Sequence, residues 1–241
     1  EETTTPVRTS TANGGTADDI LIDEDGSIVP EGGVAVTVDS DNDVTNEGEI
    51  GISDADDATG ILVEAGRSGT ITNDGTITLD EDYEPGDEDD DGDIDGPLAE
   101  GERRFGIRLG EGGAYTGSIV NGGAVEIAGN RSAGIALDSD LNGDLVHSGS
   151  IEVVGDDSYG IRTQNVSGDM TVSGSVTARG ENVVGVAVDG DIGGALIFHN
   201  SVAVTGYRST TAPSDTEDLD EDDLLQGGSA IRITGNVDGG I

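Results

Sequence analysis

A four-residue unit recurs along the chain: a small residue, a β-branched residue, any residue, then usually an aliphatic one. It reads Ala35-Val36-Thr37-Val38, Gly60-Ile61-Leu62-Val63, Gly106-Ile107-Arg108-Leu109 and Gly134-Ile135-Ala136-Leu137. It continues as Gly160-Ile161-Arg162-Thr163, Gly185-Val186-Ala187-Val188 and Ala230-Ile231-Arg232-Ile233. Successive copies lie 25, 46, 28, 26, 25 and 45 residues apart, so each long step is one period plus an insertion. Two further units follow each copy, as in Gly69-Thr70-Ile71-Thr72-Asn73-Asp74-Gly75-Thr76-Ile77. Each period therefore holds three short alternating strands separated by glycine-containing turns. A unit of this length cannot bury its own apolar face and must stack on its neighbours.

Three strands in a period of about 25 residues is the arithmetic of a parallel β-helix, in which each strand pairs with its equivalent one coil on at about 4.8 Å. The expected fold is all-β, a right-handed parallel β-helix with two acidic loop insertions. Aliphatic side chains point inward, and glycines take the positive φ values that corners need. The alternative, a β-sandwich, requires antiparallel hairpins and a bulkier core. Side-chain ladders test the register. Asn46, Asn73 and Asn121 fall at one aligned corner, where stacked amides hydrogen-bond from coil to coil; His147 and Val172 are expected to break that ladder. The outward position of the repeat reads Thr37, Leu62, Arg108, Ala136, Arg162, Ala187 and Arg232. Arginine alternates with alanine through the last five, which holds like charges about 10 Å apart instead of directly stacked.

Residues 1–18, polar and threonine-rich, form an N-terminal cap or a flexible start. The β-helix occupies 19–241, with insertions at about 80–104 and 207–226. The last repeat breaks off at Ile241, so the chain is expected to be truncated at its C-terminal side.

Composition narrows the function. There are 51 Asp plus Glu against 10 basic residues, a formal net charge of −41, and such a surface repels phosphate backbones and anionic headgroups. Nucleic acid is excluded as a partner. There is no cysteine, so stability must come from architecture or metals. No apolar run is long enough for a transmembrane helix.

The repeated Gly-Ile-x-Leu and Gly-x-Ile-x-Asn-x-Gly-x-Ile units resemble the passenger domains of bacterial autotransporters. They are most similar to the glycine-rich, lysine-poor passengers of sphingomonad-type alphaproteobacteria. The resemblance covers nearly the whole chain, on motifs that any right-handed parallel β-helix shares. It implies type V secretion through an outer-membrane barrel C-terminal to the passenger, and a cell-surface or extracellular location. Attachment to a membrane would run only through that barrel, which is not in this sequence. The implied role is a non-catalytic stalk or adhesin, with a cell-surface or extracellular-matrix component, or a second copy, as partner.

The insertions carry the one motif with site chemistry. Within the first, Asp87-Glu88-Asp89-Asp90-Asp91-Gly92-Asp93-Ile94-Asp95-Gly96 matches the opening of a D-x-D-x-D-G calcium loop. Asp87, Asp89, Asp91, Asp93 and Asp95 are the candidate ligands, and calcium is the one cofactor suggested. The bidentate Glu of such loops is missing, since Leu98 stands at its position. The second insertion has an acidic run, Asp215 to Asp223, without a turn glycine. The competing account of both is a solvated acidic loop. A calcium-dependent lattice or filament subunit is the alternative function.

A polysaccharide-degrading β-helix enzyme is the further alternative. Inverting hydrolysis needs two carboxylates held apart on rigid strands, and Asp138, Asp140 and Asp189 fall just after strands of the repeat. His147 and His199 lie near equivalent turns. The chain lacks Lys and Trp and shows no nucleophile motif or phosphate-binding loop, so it is expected not to be an enzyme.

Overall fold

A computed structural model of the chain describes residues 1–86, 96–206 and 227–241. These form a parallel β-helix of about eight turns, built from three parallel sheets. The first sheet runs from Glu2–Thr3 to Val202–Thr205 and the second from Val7–Arg8 to Ile231–Ile233. The third runs from Ile20–Ile22 to Leu196–Phe198. Each strand pairs in parallel with its equivalent one coil on, so Ile77 meets Ile50 and Val125, and Ile107 meets Ile61 and Ile135. Glu2–Thr3 and Val7–Arg8 already pair with Ser27–Ile28 and with Val36 and Thr37, so residues before Asp19 contribute to the first coil.

Inward positions stack like with like. The second sheet contributes Val36, Ile61, Ile107, Ile135, Ile161 and Val186, all fully buried. Each such side chain contributes about 1.5–3 kcal/mol on leaving water. No single coil could hold this column dry, which is why the repeat appears many times or not at all.

Corner glycines take positive φ as expected, among them Gly129, Gly155 and Gly180, but the glycine of the repeated unit has another role. Gly60, Gly106, Gly134, Gly160 and Gly185 are absent from the positive-φ residues. A Cβ on Gly60 would sit 2.6 Å from Ile77 Cγ2 and 2.7 Å from the Gly106 carbonyl oxygen. The unit needs a small residue so that the first sheet's aliphatic column can press against the second. The corner between those sheets instead places Asp57, Arg103, Arg131, Asp157 and Asn182 at φ of 52–56°. These five are equivalent positions in successive coils.

At the corners, aspartates take over hydrogen bonding that the sheets cannot supply. Asp19 Oδ1 accepts the Asp43 N–H at 3.0 Å, and Asp43 Oδ1 accepts the Thr70 N–H at 2.7 Å. Asp144 accepts from Asp169 and Asp169 from Ala195 in the same way. Asp54 with the Asp82 N–H and Asp156 with the Glu181 N–H repeat it at another corner. A short carboxylate reaches a turn N–H that the ladder leaves free. Part of the chain's acidity is thus structural.

The amide ladder runs through the core of the third sheet. Asn46 Nδ2 donates to Asn73 Oδ1 at 2.7 Å, and Asn73 Nδ2 to Asn121 Oδ1 at 2.7 Å. The expectation that His147 breaks this ladder is overturned. Asn121 Nδ2 donates to His147 Nδ1 at 3.0 Å, and His147 Nε2 donates to the Ser175 carbonyl at 3.0 Å. Asn46 and Asn73 reach the equivalent carbonyls of Thr76 and Ala124 at 3.3 and 3.4 Å. A neutral imidazole carrying its proton on Nε2 therefore stands in for an amide, accepting at one nitrogen and donating from the other. Val172 ends the column, and at its other end the buried Asn46 Oδ1 has no donor.

Candidate functional site

The second sheet carries rings, arginines and carboxylates on its outer side. Its outward positions hold Phe105 and Tyr159 at the start of their strands and Arg108, Arg162 and Arg232 near the ends. The register pairs Arg108 with Ala136, Ala136 with Arg162, Arg162 with Ala187 and Ala187 with Arg232. Phe105 and Tyr159 are likewise separated by one intervening coil, whose residue is Ala133. Phe105 and Arg108 share one coil and Tyr159 and Arg162 the coil two further on, whereas Arg232 has no ring in its own strand.

The alanines between the arginines are what allow this geometry. Ala136 leaves room for Arg108 and Arg162 to converge on one carboxylate. Arg108 Nε donates to Asp138 Oδ2 at 2.7 Å, and a terminal nitrogen of Arg162 donates to Asp138 Oδ1. Arg232 pairs with Asp189 at 3.1 Å. The Arg108 guanidinium lies 4.4 Å from the centre of the Phe105 ring. Tyr159 receives Arg162 at 5.4 Å and Arg232 at 5.7 Å. These are cation–π distances, and they fix flexible side chains against rings set by the strand. The three arginine side chains keep 34, 32 and 38% of their surface exposed.

The structure also locates the residues considered for catalysis. Asp138 is held between two guanidinium groups, with one oxygen engaged by each. Asp140 accepts from Asn165 Nδ2 at 2.8 Å, and Asp189 is paired with Arg232. His147 is fully buried in the ladder, and burial pushes its imidazole below the usual value near 6.5, against the opposing pull of the Ser175 carbonyl. His199 is exposed at a turn, where its N–H donates to the Val172 carbonyl.

Asp87, Asp89, Asp91, Asp93 and Asp95 lie outside the described residues, as does the acidic run Asp215 to Asp223. Among the described residues no group of three or more His, Asp or Glu side chains is placed to hold a metal. The described root of the first insertion is built with care. Glu81 and Arg104 form a buried ion pair at 2.8 Å. Glu81 also accepts the N–H groups of Glu100 and Gly101, each at 2.8 Å, and Arg104 donates to the carbonyls of Ala55 and Ala128. One carboxylate thus ties the outgoing strand to the returning chain. Sequence reasoning missed this clamp because both residues sat inside what read as an acidic loop; the basic pair Arg103-Arg104 closing that acidic insertion was its only signal.

The chain matches no family model, no curated protein and no solved structure.

Proposed function

We propose that the chain is a non-catalytic β-helical stalk or adhesin, displayed at a cell surface or secreted, of the autotransporter-passenger kind. One observation carries the reading: the polar groups that would have to do chemistry are committed to holding coils together. His147 closes a ladder, Asp138 bridges two arginines, and aspartates at the corners accept N–H groups from the next coil. What remains outward is a long rigid surface with a regular stripe. Rods of this type present contacts and distance, and their stability sums over neighbouring coils. The test is display. A fusion of the chain to an outer-membrane barrel should confer adhesion on a non-adherent cell, at a level that falls when coils are deleted in whole periods. Turnover of any glycan by the purified chain would sink the reading.

A second reading is favoured by the Glu81–Arg104 clamp, which fixes the point where the first insertion leaves the rod. In it, calcium held by Asp87, Asp89, Asp91, Asp93 and Asp95 lets the insertions join copies into a lattice or filament. Calcium added to the chelated protein should then raise the unfolding midpoint and, at millimolar concentration, the particle size. Asp89→Ala should abolish both responses. No response in either signal retires calcium and the lattice together.

A further inference from the structure

We infer that the outer face of the third sheet is a docking surface for a cationic amphipathic helix of a partner protein. The inference rests on the adhesive reading and names the chemistry of what the rod would hold.

The register sets one outward residue from each third-sheet strand in a single column along the rod. It reads Leu21, Thr45, Thr72, Val120, Val146, Thr171 and Ile197, each paired with the next. Every member is aliphatic or threonine. The matching columns of the other two sheets carry charge, Glu126 and Glu152 in the first and Arg108, Arg162 and Arg232 in the second. All seven residues keep part of their surface in water, and Leu21 is 65% exposed. Single apolar residues on a surface need no explanation, but a continuous stripe with a polar rim marks a contact.

The rim identifies the partner by charge. Asp19, Asp43, Asp144 and Asp169 stand one residue before their strands, and Asp23, Glu47 and Asp74 one residue after theirs; all seven are exposed. The first four are pinned at the edge of the column, accepting the N–H groups of Asp43, Thr70, Asp169 and Ala195. None of the chain's 10 basic residues falls in the segments 19–23, 43–47, 68–74, 118–122, 144–148, 169–173 or 195–199. A second copy of this face would bring like charges together, whereas cations flanking an apolar ridge complement it. Spacing selects a helix. Rungs of about 4.8 Å carry the column over about 29 Å in six steps. A helix laid along it advances about 5.4 Å per turn, close to one apolar position per rung, and spans it in about 19 residues. An extended strand on the same line sets like-facing side chains about 6.7 Å apart and loses register within two or three rungs.

The experiment is a fluorescence-anisotropy titration of the intact chain, at physiological salt, against a labelled leucine–lysine helix of about 19 residues with its leucines on one face. A peptide of the same composition in scrambled order, without an apolar face, and poly-L-lysine serve as comparison ligands. The amphipathic helix should bind, and the other two should bind at least about tenfold more weakly. Thr72→Glu and Val146→Glu put a carboxylate into the column, where docking would desolvate it, and should each weaken binding about tenfold although they add negative charge. Ala203→Glu adds the same charge at an exposed position of the first sheet and should stay within about twofold, with circular dichroism showing all three variants folded. Equal binding of the scrambled peptide, equal binding of poly-L-lysine, no binding, or unchanged or tighter binding by both column variants each overturns the proposal. Turnover of a glycan by the chain would overturn the non-catalytic reading instead and leave the docking face standing, so the two failures are distinguishable.

Discussion

Replacing Thr163 by Val tests how completely the core column specifies its chemistry. The equivalent inward positions are Val63, Leu109, Leu137 and Val188, and Thr163 stands among them fully buried. Its Oγ1 has no hydrogen-bond partner among the described residues. Val has the same shape and the same β-branched restriction at χ1, so the exchange creates neither a cavity nor a new rotamer cost. What changes is a hydroxyl taken from water without compensation, worth about 1–3 kcal/mol. A chain of this size shifts its midpoint by about 2–4 °C per kcal/mol, so a central value of about 2 kcal/mol raises it by about 4–8 °C. Thermal unfolding by circular dichroism measures this, with Val188→Thr as the mirror experiment that should lower the midpoint by a similar amount. An unchanged or lower midpoint for Thr163→Val would mean that the hydroxyl has a partner, and would refute the reasoning.

His147 gives a pH prediction. Its folded-state pKa is depressed by burial, so the unfolded chain binds the extra proton first, and stability should fall as pH drops below about 6.5 and on through the folded value. His147→Asn keeps the ladder and should flatten that part of the stability–pH profile. Asp39, whose burial is outweighed by the Ser10 and Arg8 contacts, has a lowered pKa and contributes stability that is lost only as pH falls from about 3.8 through its folded value. Glu81→Ala leaves the Arg104 charge buried and should cost about 3–5 kcal/mol, whereas joint replacement with Arg104→Met should recover most of it; chemical denaturation measures both. Glu126 and Glu152 face each other on adjacent strands, so Glu126→Thr should raise the midpoint slightly at low salt, by less than about 1 kcal/mol, and not at high salt.

The architecture was legible because a period cannot be hidden. The spacing of Gly-Ile-x-Leu units, the alternating arginines and the stacked asparagines each state the same register, and the sheets keep it. The reasons behind some positions were not legible. A glycine in a sequence looks the same whether it serves a turn or a close approach, and only the Ile77 methyl beside Gly60 separates the two. His147 read as an interruption because its amide-like use of two ring nitrogens depends on an acceptor and a donor from other coils. The stripe was half visible: the arginine spacing was in the sequence. Its pairing with Phe105 and Tyr159 and the shared Asp138 required the coils to be stacked.

The ladder gives the rod a grammar for growth. Every amide donates in the same sense, from Asn46 toward His147, so a coil bearing asparagine can be duplicated or lost between Asn46 and Asn121 with no change at either terminus. Past His147 that freedom stops, because the imidazole spends its one proton on the Ser175 carbonyl and offers nothing to a further amide. An evolving rod of this kind can change its length by copying coils on one side of the histidine. On the other side it must change its core as well.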